Sequence, residues 1–279
     1  MKFHKKGCLG FLGILIILVL ILLSMNINTL GLRLLTTYKN WTANQVDLAE
    51  IKSVSTASNH DIFNELLNQN VTKNGNVNYQ GFSENFDLFR SYLKRLTDNP
   101  PDKNSWTEAA QLAYWINAYN AFTIDLILQH QPVKSIKDIG GSLTMVNSAW
   151  DIKFFKIGGV DFDLNTIEHD ILRKQFNEPR IHFAINCASV SCPKLLNEAY
   201  VPERLDAQLQ EVSVGFVNNT AKNIISEKAV RISPIFNWFE PDFIKKGTIV
   251  EFLNQYSSIK IEADAEVEFM DYEWGLNGD

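Results

Sequence analysis

Between Lys6 and Arg33 the chain carries no charged side chain, and residues 9–23 within that stretch are dominated by Leu, Ile and Val. A helix needs about 20 apolar residues to cross the hydrocarbon layer of a bilayer, and residues 7–30 supply them. A cleaved signal peptide would have a shorter apolar region followed by small residues at an A-x-A-like site. Here Ser24-Met25-Asn26-Ile27-Asn28 follows instead. The expectation is an uncleaved signal-anchor. Lys2, Lys5 and Lys6 precede the run and no acidic residue occurs before Asp47, so the basic tail (1–6) should stay cytoplasmic and the bulk of the chain should lie outside. A membrane is therefore the first partner expected, met through a single N-terminal helix.

The rest reads as a globular protein. Across 279 residues, 46% are hydrophobic and 21% charged, which excludes wholesale disorder. Three cysteines are too few for a disulfide scaffold. The net charge is −6, and the part beyond the basic tail is more acidic still. Nucleic acid is not expected as a partner, because phosphate binding needs clustered Lys and Arg. Residues 31–58 read as a stalk or first helix, and 59–279 as one extracytoplasmic domain.

Within that domain, periodicity predicts helices over 60–70, 83–96 (with Ser83 as cap), 105–130, 165–176, 202–218 and 247–256. Asn74-Gly75 marks a turn before Val77-Asn78-Tyr79 alternation. Hairpins are expected over 150–164, turning at Gly158-Gly159, and over 224–232. Residues 181–186 read as a short strand, and 259–274 alternate like another. Helices and strands mix without regular βαβ alternation, so the expected class is α+β, a single mixed helix and antiparallel-sheet domain.

The window 165–193 gathers the chemistry: Glu168, His169, His182, Cys187 and Cys192. These are residue types used for thiol catalysis or zinc binding. If 181–187 is extended, His182 faces away from Cys187, whereas Cys192 can fold back from the loop beyond. Pro193 suits the first position of a helix, which would put Cys192 at an N-cap where the dipole lowers a thiol pKa. Cys192 or Cys187 is then the candidate nucleophile and His182 the proton carrier. Glu168 or His169 would support the imidazole, with backbone amides of 189–192 as oxyanion donors. The competing readings are a Cys187–Cys192 disulfide, a buried structural Cys, and a Glu168 that only caps its helix from a capping-box-like Asn165. Zinc fits poorly, because C-x4-C departs from the usual knuckle spacing; no metal and no cofactor is expected.

On the long helical segment, Tyr114, Asn117 and Asn120 share one face. Buried carboxamides need partners, so the three either bond to backbone or line a ligand pocket. Near the C-terminus, 233–243 and 270–277 combine aromatic residues with Asp242, Asp271 and Glu273. No spacing argument selects one of these carboxylates.

The motifs WINAYNAFTI (115–124), IEHDILR (167–173), the 182–193 segment, FNWFEPDF (236–243) and DYEWGLN (271–277) occur in one order. In these motifs the chain resembles the family called domain of unknown function 547, over roughly 60–277. The resemblance implies no particular activity and directs attention to His182 and Glu168 as its polar centre. Together the residues lead to the expectation of a thiol-dependent hydrolase or acyltransferase acting on a peptide-like or amide substrate. The alternative is a non-catalytic envelope module that binds a ligand or partner.

Overall fold

A computed structural model describes residues 48–140 and 148–278. The basic tail, the expected anchor and most of the expected stalk fall at 1–47, outside the described residues. Among the described residues no helix is long and apolar enough to cross a membrane. The last part of the expected stalk packs on the domain: Lys52 N–H donates to Gly158 O, Val54 N–H to Pro100 O, and the Trp106 indole to Val54 O.

Helix α1 (Asp61–Asn70) is followed by the Asn74-Gly75 turn, where Gly75 has φ +87°. Residues 77–79 do not continue as a strand. Instead Asn78 caps α2 (Tyr79–Glu84) by accepting from Gly81 N–H at 2.9 Å. The helix expected over 83–96 is thus two. Ser83 lies inside α2, and α3 (Phe86–Asp98) starts after Asn85. Phe89, Tyr92, Leu93 and Leu96 of α3 are buried, each worth roughly 1.5–3 kcal/mol of apolar burial. Phe63 of α1 stacks on Tyr92 at 4.8 Å.

Helix α4 (Glu108–His130) is the axis of the domain. Thr107 caps it by accepting from Ala110 N–H, and side chains on all its faces are buried from Ala110 to Ile127. A helix apolar all round has to be enclosed, and the others wrap it. The hairpin β1 (Phe155–Ile157) and β2 (Val160–Phe162) turns at Gly158-Gly159, both at positive φ (+59° and +91°) as a tight two-residue turn requires.

The segment 181–186 is not a strand. It holds the short helix α5 (Ile181–Ala184), ending where Ile185 turns extended. Its side chains pack on the flank of α6 (Leu205–Val217), with Phe183 stacked on Phe216 at 5.0 Å. Four apolar-rich residues cannot be told apart as helix or strand by periodicity alone; here tertiary packing decides.

The second hairpin, β3 (Ile224–Ile225) with β4 (Ala229–Ile232), is antiparallel. The chain then makes α7 (Ile235–Trp238), α8 (Glu240–Phe243) and α9 (Ile249–Leu253) before β5 (Glu266–Phe269) pairs with β4 in parallel. The three-stranded sheet is therefore mixed, because a helical crossover returns the chain in the same direction. Only four residues of the expected 259–274 strand join it. The last residues bridge single positions at Ser135, Ser189 and Val77. The class is α+β, a helical body carrying two small sheets, with β5 exposed along its whole length.

Candidate functional site

Glu168 and His169 sit on a π-helix, Thr166–Leu172, where the wider turn lets Arg173 N–H reach Glu168 O. Its start is capped by Asp163, whose Oδ1 accepts from Thr166 N–H at 2.6 Å. The capping-box role expected for Asn165 and Glu168 is not realised: Asn165 is itself helical and donates to Asp151. Single π turns inside helices recur at functional sites. Here the extra residue brings Glu168 inward, where Oε2 accepts from the Tyr119 hydroxyl of α4 at 3.2 Å.

His182 is 2% exposed and sits between Phe239, stacked at 4.1 Å, and Phe243 at 5.3 Å. Its Nε2 is 2.9 Å from Asp242 Oδ2, and the same oxygen accepts from Arg173 Nε at 2.6 Å. Arg173 also donates to His169 Nδ1 at 2.8 Å. The acid that orients His182 is thus Asp242 of α8. Glu168 and His169 stand in the surrounding shell, His169 acting on Asp242 only through Arg173. Burial lowers the His182 pKa against the opposing pull of Asp242. Burial would raise the Asp242 carboxyl, but the bonds from His182 and Arg173 outweigh it and hold Asp242 well below the usual carboxylate range. In the neutral ring Nε2 carries the proton toward Asp242, and Nδ1 keeps a bare lone pair. Nδ1 is buried and has no hydrogen-bond partner.

The two remaining sulfurs belong to a tight loop. Asn186 closes it, donating to Pro193 O at 2.7 Å while its Oδ1 accepts from Ala188 N–H and from Asn277. Ala188 takes φ +57°, the left-handed region that costs a non-glycine residue about 1–2 kcal/mol. Strain of this kind persists where the surroundings over-determine it, often beside reactive groups. The C-terminal segment lies across the loop through Val190 N–H to Gly275 O and Ser191 N–H to Glu273 O.

No helix follows Pro193, so Cys192 is not at an N-cap. It lies 4% exposed, and its sulfur accepts from Cys187 N–H at 2.9 Å. Of the amides expected as oxyanion donors, those of Val190, Ser191 and Cys192 are already spent on carbonyls. Polar side chains gather instead around Cys187, where Ser189 donates to the Tyr272 hydroxyl at 3.0 Å. Its sulfur lies 2.8 Å from Cys192 Sγ, 3.2 Å from Ser189 Oγ and 3.2 Å from the Tyr272 hydroxyl. Both cysteines are free. The Cys192 thiol does most to lower the Cys187 pKa, with help from Ser189 and Tyr272 against the cost of burial. Burial pushes Cys192 the other way, well above an ordinary thiol. Cys187 is also the more exposed of the two cysteines.

Glu168, His169, His182, Cys187 and Cys192 all line one open hollow of about 670 Å³, walled by Trp150, Trp238, Phe239, Tyr272 and Trp274. No hydrogen bond joins His182 to either sulfur, because Nδ1 has no partner. Tyr114, Asn117 and Asn120 do not line this hollow. Tyr114 donates to Leu96 O, Asn117 grips both the N–H and C=O of Tyr200, and Asn120 grips Ala184 O and Asn186 N–H. Their buried amides hold backbone in place of ligand. Among the described residues no group of three or more His, Cys, Asp or Glu could hold a metal ion. The sequence left Asp242 unselected and gave no role to Arg173 and Tyr272, although both stand inside quoted motifs (167–173 and 271–277), because their bonds to Asp242 and Cys187 form only in the fold.

Comparison with known families covers the motifs at 115–124, 167–173 and 182–193; those at 236–243 and 271–277 lie outside the matched residues. Residues 103–217 match the model of the family described as protein of unknown function, DUF547, and the chain carries a DUF547 domain over those residues. No curated protein and no solved structure matches the chain.

Proposed function

We propose that this domain is a thiol-dependent hydrolase or acyltransferase acting on a peptide-like or amide substrate, with Cys187 as nucleophile. The observation that carries the reading is the convergence of three hydrogen-bonding groups, the Cys192 thiol and the Ser189 and Tyr272 hydroxyls, on the Cys187 sulfur, in the same hollow as an imidazole tied to a carboxylate through Nε2. In this reading the Cys187 thiolate attacks the acyl carbon and an S–C bond forms. The C–N bond of the amide then breaks, and the leaving amine takes its proton from His182 Nδ1, which acquired it from the thiol. Asp242 stabilises the imidazolium in between. Water or a second nucleophile, deprotonated by His182, releases the acyl group and restores the thiol. The Tyr272 hydroxyl supplies a hydrogen-bond donor at the reacting centre. The anchor expected at residues 7–30 would hold this chemistry on the outer side of a membrane.

Labelling tests the reading, in the full chain with Cys8→Ser so that only Cys187 and Cys192 report. Iodoacetamide at neutral pH should label the chain, Cys187→Ser should abolish that labelling, and Cys192→Ser should retain it. An activated ester should give a burst of acylation that Cys187→Ser removes. Labelling and burst unchanged in Cys187→Ser would overturn the assignment.

The missing hydrogen bond between His182 and sulfur favours a second reading, an envelope binding module whose polar centre is structural. In that case the hollow binds its ligand equally well with Cys187→Ser and His182→Gln, and no ester burst is seen.

A further inference from the structure

Glu168 brings an unpaired carboxylate to the hollow. It is only 7% exposed, yet among the described residues no Lys, Arg or His lies within ion-pair distance of it. Its one hydrogen bond comes from Tyr119, which accepts in turn from the Trp150 indole at 3.2 Å. A buried charge is costly unless something pairs with it. The cations nearby are committed elsewhere. Arg173 serves Asp242 and His169, and Lys222, behind the thiol loop, donates to the carbonyls of Val190 and Cys192.

The rest of the wall suits a positive guest. Trp274 lies 5.9 Å from Trp150, 5.8 Å from Trp238 and 4.4 Å from Tyr272, centroid to centroid, so the rings form one continuous surface. The faces of aromatic rings attract cations, and two rings of this hollow already hold one from outside. Lys137 Nζ is 4.4 Å from the Trp274 ring centre and the Arg173 guanidinium is 5.0 Å from that of Phe239. The buried Nδ1 of His182 adds an unpartnered acceptor. An anionic guest would be repelled by Glu168, and the Lys137 ammonium that could offset it is held on the Trp274 ring and not beside the carboxylate. A neutral guest would leave the carboxylate unpaired.

We infer that the hollow recognises its substrate through a protonated amine, primary or alkylated, seated between Glu168 and the Trp150–Trp274 wall while the acyl carbon lies at Cys187. The inference rests on the hollow being a substrate site, and it names the substrate class as cationic amino compounds. Glu168 is then a binding residue that discriminates by charge.

The test uses the full chain in non-ionic detergent at pH 7.5, with tryptophan emission as readout and n-butylammonium and n-butanol as probes. Butylammonium should bind about tenfold or more tightly than butanol, and Glu168→Gln should remove that preference. Equal binding of the two probes by the unaltered chain would overturn the inference, whether or not the variant folds. So would undiminished butylammonium binding by a Glu168→Gln chain that melts like the original. Iodoacetamide labelling of Cys187 on the same samples separates the two proposals. Charge preference with an inert Cys187 sinks the hydrolase and spares the cation site, and a reactive Cys187 without charge preference does the reverse.

Discussion

Asp242 Oδ2 lies 2.9 Å from His182 Nε2 although sixty positions separate the two residues in the chain. That oxygen also takes the Arg173 Nε–H, so one carboxylate oxygen fixes both the tautomer of the imidazole and the place of a guanidinium. If His182 moves protons for Cys187, Asp242→Asn should lower turnover by about 10⁴-fold, the fall that follows when the orienting acid of a Ser-His-Asp triad is neutralised. The fall should appear in kcat with the fold retained by circular dichroism. A variant that turns over normally would show that Asp242 has only a structural part.

The Cys187 thiol owes its acidity first to Cys192, then to Ser189 and Tyr272. The alkylation rate of Cys187 plotted against pH should therefore have its midpoint below 9, the value for an ordinary thiol. Removing a donor makes the thiolate less favourable, so Cys192→Ala and Tyr272→Phe should each move the midpoint upward. A midpoint that stays in place in both variants would contradict the hydrogen-bond account.

With 2.8 Å between the sulfurs, Cys187 and Cys192 are placed for oxidation. Diamide, the oxidant here, should take two electrons and two protons from the pair and leave a disulfide across the loop. In the Cys8→Ser chain, titratable thiols should fall from both to none, and dithiothreitol should restore them. Labelling of Cys187 should vanish and return in parallel. Thiols that persist after diamide treatment would count against this.

His60 is buried against Tyr92, its Nδ1 2.7 Å from the hydroxyl, and burial depresses its pKa to about 4. In the unfolded chain it titrates near 6.5, so on acidification the unfolded state takes up the proton first. The stability contributed by neutral His60 is complete above pH 6.5 and is lost as pH falls to about 4, by about 3 kcal/mol. Asp125, pushed up to about 6 by burial, has the opposite sign, since the folded state holds its proton and gains on acidification. The two must be separated by difference. Urea melts of the original chain and His60→Gln should diverge in pH slope between pH 4 and 6.5, with the original losing more. Parallel slopes would sink the assignment.

Asn117 and Asn120 stand one helical turn apart and do similar work on different segments. Asn117→Ala leaves the N–H and C=O of Tyr200 unpaired, and Asn120→Ala does so for Asn186 N–H and Ala184 O. Each should cost about 2–6 kcal/mol, two buried backbone groups at about 1–3 kcal/mol each. Only Asn120 clamps the stretch between His182 and Cys187. Thermal melts should fall for both variants, whereas the iodoacetamide rate at Cys187 should change only for Asn120→Ala.

The sequence by itself determined the elements whose evidence is local. The unbroken apolar pattern of 108–130 demanded an enclosed helix, and Gly158-Gly159 demanded a tight turn because two consecutive residues there need positive φ. Residue type alone marked His182, Cys187, Cys192, Glu168 and His169, and the fold places all five around one hollow. Local reasoning failed where a short segment takes its shape from its neighbours. Residues 181–184 carry too few side chains to fix a period, so packing against α6 made them a helix. Cys192 lost its expected helix cap because the residues after Pro193 run as an irregular loop and form no helix. The choice of Asp242 as partner to His182, and of Cys187 as the more acidic sulfur, belonged to the tertiary structure. Both depend on hydrogen bonds between groups distant in the chain, and hydrogen-bond energy depends on distance and angle in space, which residue order does not encode.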